Sequence, residues 1–379
     1  MSDRPTIDVA VVGLGFGEAF VPLYQAHPRV GAVAIVDPAP DRVREVGDRY
    51  GIEHRYDDLE AVLTDTRWDA VHILSPVAFH ASATLAALRA GRHVACAVPM
   101  ATELDDLRAI IAAQRASGRV YMMMETSVYG REYRYAAALH RSGRLGRLTH
   151  YRGFHIQNLD GFPRYWLGYP PMRYLTHALS PVLALADTTV EDVVAYGTGR
   201  LTDDRRGDFD NPFPMEVGLF RLRGHDLVAQ VEMSFFQTAR PYIEGFDLHG
   251  DAMSVEWPVE EDGPLRVYNL LPPAANGGRG RRASLELVDP PDDLGGLPAS
   301  LAGFARDFEV EPAGGGPPIR HVAGHGGSHP FLVHEFVSSI VEGRRPDIDA
   351  PVAAAWTAPG IVAHESALRG GTRLAVPTF

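Results

Sequence analysis

Short apolar runs alternate with amphipathic segments through the first third of the chain. Strands are predicted at residues 9–12, 30–36, 68–74, 93–98 and 120–124, where apolar residues cluster. Helices are predicted at 18–27, 57–65 and 80–89, and a longer one runs from a capping box at 102–105 to Gly118. This alternation predicts an α/β domain with a doubly wound parallel sheet, whose ligands bind at the carboxyl ends of the strands.

The pattern changes after residue 126. A helix at 128–142 precedes strands at 148–156, 190–197, 215–222, 227–236 and 243–249, which one helix at 172–185 interrupts. Such strands predict a C-terminal α+β domain with an open, mostly antiparallel sheet. Residues 272–318 are rich in glycine, proline and arginine and are predicted to form loops, and two helices follow at 330–342 and 353–368, the second kinked at Pro359. We expect two domains, at 1–126 and 127–379.

The turn after the first strand carries the clearest chemical signal. This turn contains three glycines, and a residue without Cβ lets backbone N–H groups approach a pyrophosphate at a helix N-terminus. The second strand ends at Asp37, about 20 residues further on, where a carboxylate accepts the ribose hydroxyls of NAD and repels the 2′-phosphate of NADP. The spacing departs from G-x-G-x-x-G because the third position is Glu18. We therefore predict a Rossmann-type NAD-binding domain, with a turn formed by Gly13, Gly15, Phe16 and Gly17.

Composition narrows the function classes. The 379 residues carry a formal net charge of −12, which argues against a nucleic-acid or anionic-membrane partner. No apolar run approaches the ~20 residues of a membrane helix, and the first residues lack a signal-peptide core. The single cysteine, Cys96, excludes an internal disulfide, so a cytoplasmic location is expected. Every basic residue other than histidine is an arginine, so no lysine is available for proton transfer.

Several polar residues and prolines follow the predicted parallel strands directly. Because ligands bind at this edge of such a sheet, these residues are candidate cofactor or substrate contacts. His80 opens the helix after the third of these strands and either contacts the cofactor or packs against its own helix. The candidates at the strand ends are Asp37, Ser75, Pro76, His80, Val98, Pro99 and Glu125.

The chain resembles the Gfo/Idh/MocA family, named for glucose–fructose oxidoreductase and inositol dehydrogenase, over nearly its whole length. The matching features are the glycine turn, Asp37, the segment Ser75-Pro-Val-Ala-Phe-His80 and the segment Gly91-Arg-His-Val. The resemblance implies NAD as the cofactor and a carbohydrate or cyclitol hydroxyl as the site of hydride transfer. That family usually has Glu-Lys-Pro, with a catalytic lysine, where this chain has Ala97-Val98-Pro99.

The missing lysine points to a narrower resemblance, to the NAD-dependent glycoside hydrolases of this superfamily, of the α-N-acetylgalactosaminidase type. Those enzymes oxidise a sugar hydroxyl transiently, eliminate the aglycone, add water and return the hydride. The resemblance implies Glu125, Tyr174, His177 and His325 as site residues, and His155 stands where those hydrolases place a tyrosine. The matching segments are Val98-Pro-Met-Ala, Met123-Met-Glu125, Gly153-Phe-His-Ile-Gln-Asn158, Tyr174-Leu-Thr-His177 and Gly324-His-Gly-Gly327.

Each candidate has a functional and a structural interpretation. Tyr174 and His177 share one helical face, so they either remove a proton from a sugar hydroxyl or pack in the core. Glu125 either binds hydroxyls or caps the following helix. With His155, these are the predicted catalytic residues. His325 is predicted to contact the substrate from a glycine-rich loop, with His329 beginning the next helix.

The remaining candidates are aromatic or lie among the C-terminal histidines. Tyr165 and Trp166 belong to an aromatic run that either stacks on a sugar or forms a subunit contact. The closely spaced histidines from His321 to His334 suggest a metal site, but interrupting glycines and the absence of a nearby cysteine favour none.

The sequence favours an NAD(H)-dependent oxidoreductase acting on a carbohydrate or cyclitol. Its first alternative is the redox-neutral glycoside hydrolase, and its second is a nucleotide-binding protein without turnover. The predicted domains are an NAD-binding domain at 1–126 and a substrate-binding and oligomerisation domain at 127–379. A homodimer or homotetramer is expected because an open antiparallel sheet offers a self-complementary face.

Overall fold

The computed structural model describes residues 6–260, 263–273, 275, 280–310 and 319–379. Its strands are β1 Ile7–Val12, β2 Val30–Val36, β3 His54–Tyr56, β4 Ala70–Ile73, β5 His93–Cys96, β6 Tyr121–Met123, β7 Leu148–Ile156, β8 Val190–Thr198, β9 Met215–Leu222, β10 Val228–Ser234, β11 Ile243–Gly250, β12 Met253–Glu256, β13 Leu265–Leu270, β14 Ala283–Val288, β15 Phe308–Val310, β16 Ile319–His321 and β17 Leu374–Ala375.

The α-helices are α1 Leu14–Gly17, α2 Val21–Ala26, α3 Pro40–Tyr50, α4 Leu59–Thr64, α5 His80–Arg89, α6 Leu104–Ser117, α7 Arg131–Arg141, α8 Thr176–Ala186, α9 Ala299–Ala302, α10 Gly324–Gly327, α11 His329–Glu342 and α12 Ala350–Leu368. Short 3₁₀ turns include Glu18–Phe20, Val77–Phe79, Thr126–Val128, Arg164–Trp166 and Pro171–Tyr174.

Contacts divide the chain into two compact units. The first unit comprises Met1–Tyr129, Leu294–Ala354 and Phe379, and the second comprises Gly130–Asp293 and Ala355–Thr378. The first change of unit lies close to the predicted boundary at 126. The segment from Leu294 to Ala354 packs with the first unit, whereas we had expected it in the C-terminal domain. The physical reason is that α11 places Leu332, Val333, Phe336 and Val337 in the same apolar core as β1.

The first unit contains a six-stranded parallel sheet of order β3-β2-β1-β4-β5-β6. Strand β4 is buried at all four positions, as expected for a parallel sheet covered on both faces. The strand order reverses between β1 and β4, which is where a doubly wound sheet binds its ligand. The α/β Rossmann prediction is therefore confirmed.

The second unit contains a nine-stranded sheet of order β14-β13-β12-β11-β7-β10-β9-β8-β17. Among the strands of this sheet that the structure describes, only β7 and β10 pair in parallel, so the predicted mostly antiparallel sheet is confirmed. Strands β12 and β13 and the edge strand β14 were not predicted, and β14 contradicts the expected loop at 272–318. Residues 274, 276–279 and 311–318 of that range lie outside the described part of the chain.

Several local predictions need correction. The helix expected at 18–27 is a 3₁₀ turn, Glu18–Phe20, followed by the short helix α2. The expected capping box at 102–105 is absent, since α6 begins after Glu103 and the structure gives it no side-chain cap. Helix α3, strand β3 and the short elements before α11 were not predicted, and α12 runs through Pro359 as one helix.

Helix α8 lies close against strand β7 at a glycine. A Cβ on Gly153 would lie 1.8 Å from the carbonyl oxygen of Ala178, and Tyr151 donates a hydrogen bond to the same oxygen at 2.8 Å. Because successive strand residues point to opposite faces, Tyr151, Gly153 and His155 share the face that α8 covers. The close approach therefore brings α8 next to His155.

We predict that Gly153→Ala lowers the free energy of unfolding by about 1–3 kcal/mol, because helix and strand must separate to admit the methyl group. Thermal and urea denaturation of the purified variant measures this effect. Gly303→Ala is the matched control, since a Cβ there meets no atom within 4 Å, and its stability should stay near that of the parent. Equal stability of both variants would contradict the close approach.

Candidate functional site

The three glycines of the first turn have three different surroundings. Gly13 has φ of 92°, and a Cβ there would lie 2.7 Å from Leu74 C and Ser75 N, so a side chain would strain the turn and push β4 away. Gly17 packs against β4, with Leu74 Cδ1 3.1 Å from its Cβ position. Nothing lies within 4 Å of the Cβ position of Gly15. The turn is thus tightly packed at both ends and open at Gly15.

Asp37 is bound to this turn through its carboxylate. Leu14 N donates to Oδ2 at 2.8 Å and Ala39 N donates to Oδ1 at 2.9 Å. A carboxylate has about four acceptor positions, so two remain for ribose hydroxyls. The nearby cation Arg42 donates to the Leu14 carbonyl at 3.0 Å and forms an ion pair with Glu18. A phosphate at this position would therefore meet one carboxylate and an arginine that is already paired.

His80 connects the loops that follow β4 and β5. Its Nε2 lies 2.9 Å from the Ser75 carbonyl and its Nδ1 lies 2.8 Å from the Pro99 carbonyl, beyond a cis Val98–Pro99 bond. Two carbonyl acceptors require a donor at both ring nitrogens, which only the imidazolium supplies. Burial lowers the pKa of His80, but the Cys96 sulfur and the two carbonyls outweigh burial and raise the pKa to about 9.

This geometry gives His80 a bridging position, with both ring nitrogens directed at the backbone of candidate cofactor loops. Pro76 precedes the 3₁₀ turn Val77–Phe79, and Val98 is buried. The Ser75 hydroxyl is also buried, and no residue in the described part of the chain hydrogen-bonds it. A buried hydroxyl without a protein partner beside the glycine turn is suited to bonding a ligand.

The C-terminal histidines of the first unit lie beside the glycine turn. His325 adopts a left-handed conformation with φ of 54°, which is strained for a residue with a side chain. Its ring centroid is 6.0 Å from that of Phe16 and 5.5 Å from that of His329. The structure places His325 in the short helix α10 and not in a loop, although His325 and Gly326 have non-helical backbone angles, and His329 begins α11 as expected. Burial lowers the pKa of His329 well below its usual range, so this ring is neutral.

Glu125 follows β6 and is fully buried. Its Oε1 accepts a hydrogen bond from Ser127 N at 3.0 Å, which caps the 3₁₀ turn Thr126–Val128. The capping interpretation of Glu125 therefore has direct support in the first unit. A role toward a ligand remains a proposal.

In the second unit, one cluster contains three of the predicted catalytic residues. Antiparallel pairing of β7 with β11 sets His155 directly opposite Glu244. Tyr174 precedes α8 and His177 lies in its first turn, and the close packing of α8 on β7 brings both rings to His155. The ring centroid of His155 is 5.6 Å from that of His177 and 5.9 Å from that of Tyr174.

A buried carboxylate joins this cluster. Glu244 Oε1 lies 3.6 Å from His177 Nδ1, and Oε2 lies 3.8 Å from His155 Nδ1. Tyr242 donates a hydrogen bond to Oε2 at 2.7 Å. We call His155, Tyr174, His177, Tyr242 and Glu244 the histidine–glutamate cluster. It combines imidazoles that accept protons, phenol groups and a carboxylate counter-ion, which are the groups that general acid–base catalysis uses.

A second buried carboxylate fixes the turn that carries Tyr174. Glu216 is completely buried, and it accepts hydrogen bonds from Met172 N at 2.9 Å and His364 Nδ1 at 2.8 Å. Gly360 closes the same turn, since a Cβ there would lie 2.2 Å from the Met172 carbonyl oxygen. The backbone that presents Tyr174 is thereby held from two sides.

The predicted aromatic residues extend the histidine–glutamate cluster. The ring centroid of Trp166 is 5.5 Å from that of Tyr174, and the tilted ring of Tyr165 has its centroid 5.7 Å from that of Trp166. Tyr165 is about half exposed, whereas Tyr169 of the same run is buried and belongs to the core. Trp166 and Tyr165 are thus aromatic neighbours of the candidate catalytic rings.

Sequence reasoning missed Glu244, Tyr242 and Glu216. The signal for Glu244 was present in its strand, since it alternates with Phe246 and Leu248, which face the core. A carboxylate on the apolar face of a strand needs a partner or a function. The register that places Glu244 opposite His155 could not be read from one sequence.

The described residues offer neither a metal site nor a membrane-spanning helix. Among the described residues, no group of three or more histidine, cysteine or acidic side chains is arranged to hold a metal ion. His334 pairs with His27 at 3.1 Å, and His321 lies against Phe304. Within the same part of the chain, no helix combines the length and apolarity needed to cross a membrane.

Comparison with known proteins agrees with the geometry of the turn. Residues 7–125 match the family model GFO_IDH_MocA, described as "Oxidoreductase family, NAD-binding Rossmann fold". A curated relative named glycosyl hydrolase family 109 protein, from Streptomyces niveus, is 26% identical over 99% of this chain and 78% of its own length. A second, from Streptomyces coelicolor, is 26% identical over 99% and 84%.

Solved structures share the fold over the whole chain. Levoglucosan dehydrogenase in complex with NADH and levoglucosan superposes with a TM-score of 0.77 at 21% identity, covering 98% of this chain and 100% of that one. Apo scyllo-inositol dehydrogenase from Lactobacillus casei gives a TM-score of 0.68 at 17% identity, covering 99% of each chain.

The fold and the glycine turn define an NAD-binding oxidoreductase with a Rossmann domain. Residues 7–125 are similar to the NAD-binding Rossmann domain of the GFO_IDH_MocA oxidoreductase family. The residues present fit the cofactor: Gly15 faces open space where a pyrophosphate can approach, Asp37 keeps acceptor positions for ribose, and Ser75 offers a buried hydroxyl.

We predict that the protein binds NAD at least tenfold more tightly than NADP, because Asp37 repels the 2′-phosphate and Arg42 is paired with Glu18. Asp37→Ala should reduce the ratio of the affinity for NAD to the affinity for NADP. Isothermal titration of both nucleotides measures it, and Asp41→Ala, which removes an exposed carboxylate of α3, is the control. Equal binding of both nucleotides by the parent protein would remove Asp37 from the ribose position.

Proposed function

We propose that the protein oxidises a hydroxyl of a carbohydrate or cyclitol, with the histidine–glutamate cluster as the acid–base group. The observation that carries this proposal is the cluster itself, in which two imidazoles and the Tyr242 phenol surround one buried carboxylate and the Tyr174 ring lies beside His177. The similar structures add support, since levoglucosan and scyllo-inositol, after which those dehydrogenases are named, are polyhydroxylated rings.

When bound, NAD⁺ supplies the hydride acceptor. His177 takes the hydroxyl proton as the carbon loses its hydride, so the carbinol becomes a ketone and one imidazolium forms. Its Nδ1 faces Glu244 at 3.6 Å, and we assign Nε2 as the accepting atom. His155 is less suited to be the base, because its Nε2 faces the Gln157 side chain at 3.3 Å. Tyr174 is placed to hydrogen-bond a neighbouring hydroxyl, and Trp166 and Tyr165 to stack on the ring.

The remaining predicted site residues act toward the cofactor or the substrate. We propose that Gly13, Gly15, Phe16 and Gly17 bind the pyrophosphate, that Asp37 binds ribose, and that Ser75, Pro76, Val98 and Pro99 line the nicotinamide end, with His80 bridging their loops. His325 and Glu125 are proposed substrate contacts.

Replacing the predicted base should affect chemistry more than folding. We expect His177→Ala to slow turnover by about 10²-fold or more and to leave NAD affinity nearly unchanged. Steady-state kinetics and nucleotide titration measure the two effects. His150→Ala is the control, since this histidine lies on β7 and is exposed. A variant that melts much earlier but retains near-normal turnover when folded would identify His177 as a core residue.

A second candidate function is redox-neutral cleavage of a glycoside. Two observations favour it: the curated relatives are named glycosyl hydrolase family 109 proteins, and the chain contains no lysine. In this route the ketone acidifies the neighbouring C–H, a base removes that proton, and the aglycone leaves. Water then adds and the hydride returns to the sugar, so no reduced nucleotide accumulates.

Incubation with an aryl glycoside such as p-nitrophenyl N-acetyl-α-galactosaminide in deuterated water separates the two functions. Cleavage by elimination releases nitrophenol, leaves absorbance at the NADH band flat and places deuterium on the carbon next to the oxidised one. Net oxidation makes NADH grow steadily with an intact glycosidic bond. If the protein follows the second route, we expect the nucleotide to be held tightly through turnover and nitrophenol release to outpace NADH formation.

We further infer that the protein is cytoplasmic and forms a homodimer or homotetramer. A single buried cysteine supports the location. Tyr196, Leu219 and Val228 are exposed apolar residues on the adjacent strands β8, β9 and β10, which supports a subunit contact there.

A further inference from the structure

Glu244 faces two different imidazoles with its two carboxylate oxygens. The Oε1 atom points to His177 Nδ1 at 3.6 Å, and Oε2 points to His155 Nδ1 at 3.8 Å. The side chain is 8% exposed, and the Tyr242 hydroxyl donates to Oε2. Burying a carboxylate destabilises the fold unless the charge is paired. Two of the groups that face Glu244 are the candidate catalytic residues His177 and His155.

We propose that Glu244 is a positioning residue that sets the tautomer and the basicity of His177 and His155. The inference deepens the proposed sugar oxidation and rests on it for its catalytic meaning. With Nδ1–H directed at the carboxylate, each ring keeps its lone pair on Nε2. In His177 this lone pair accepts the hydroxyl proton. In His155 the Nε2 atom lies 3.3 Å from Gln157 Oε1, so a lone pair on Nε2 requires the Gln157 amide to exchange the positions of its oxygen and its NH₂ group.

The charge of Glu244 also matters when the proton moves. Accepting the hydroxyl proton turns His177 into an imidazolium, and a carboxylate within about 4–6 Å stabilises that charged form. The titratable groups around the two rings are His155 on β7, Tyr174 and His177 at the start of α8, and Tyr242 and Glu244 at the start of β11. Glu244 is the carboxylate among them, so it balances the new charge.

Glu216 shows what a purely structural carboxylate looks like in the same unit. Both of its oxygens accept normal hydrogen bonds, from Met172 N at 2.9 Å and from His364 Nδ1 at 2.8 Å. Glu244 accepts a normal hydrogen bond from Tyr242, and it also lies at ion-pair distance from two imidazole rings. Distances of this kind are common in ligand-free sites, where catalytic hydrogen bonds tighten only with substrate.

The test compares three variants of the full chain: Glu244→Gln, Tyr242→Phe and Glu216→Gln. Histidine ring nitrogens labelled with ¹⁵N report tautomer and titration midpoint, and His155→Gln and His177→Gln assign the two signals. In Glu244→Gln we expect both midpoints to fall by about one pH unit or more and the Nε2–H tautomer to grow. Tyr242→Phe keeps the charge and should shift them by less than about half that amount. Glu216→Gln should lower the melting temperature and leave both midpoints in place.

Kinetics then separate this inference from the proposed function. With levoglucosan and NAD⁺ as probe substrates, Glu244→Gln should lower kcat/KM about tenfold or more and move its acid limb to lower pH. Unchanged midpoints and tautomers in Glu244→Gln would overturn the inference, whatever the turnover. Shifted midpoints in a protein that turns over neither levoglucosan nor the aryl glycoside would uphold the tautomer assignment and reject the proposed function.

Discussion

The approach of helix α8 to strand β7 at Gly153 is the constraint on which the second unit depends. Only a residue without Cβ lets the Ala178 carbonyl lie at this distance from the strand. The alternation of β7 then directs His155 toward the helix, and the first turn of α8 supplies His177. Register with β11 adds Glu244 on the same face. Four elements of backbone geometry thus assemble a group of ionisable side chains that no local sequence pattern contains.

The first unit depends on a similar backbone approach. Gly13 allows the chain after β1 to touch the chain after β4, at the position where the strand order reverses. That contact opens the turn toward a ligand and leaves Asp37 bound to the N-terminus of α1. Because the chain has no lysine, the cation between the loops after β4 and β5 is a buried imidazolium. This is His80, which two backbone carbonyls hold in place.

Much of the fold could be predicted from the sequence, because strands such as β1 and β4 are apolar runs and the helices between them have one apolar face. The strands of the second sheet with clear alternation were predicted too. Strand β14 was not, since its residues are exposed and it stands at the sheet edge, where burial leaves no apolar pattern. Glu244 illustrates the limit for the site, since its importance comes from register with β7, a property of pairing between distant segments.

The distribution of the first unit along the chain has a consequence for biosynthesis. Its apolar core joins β1, near the N-terminus, to Leu332, Val333, Phe336 and Val337 of α11. A ribosome that has released only the first 126 residues has made every strand of the parallel sheet but none of these side chains. Synthesis of the nucleotide-binding unit therefore begins first. It is completed only after nearly all strands of the nine-stranded sheet have left the exit tunnel. Until α11 is made, the apolar surface that it covers stays exposed, and exposed apolar surface favours aggregation.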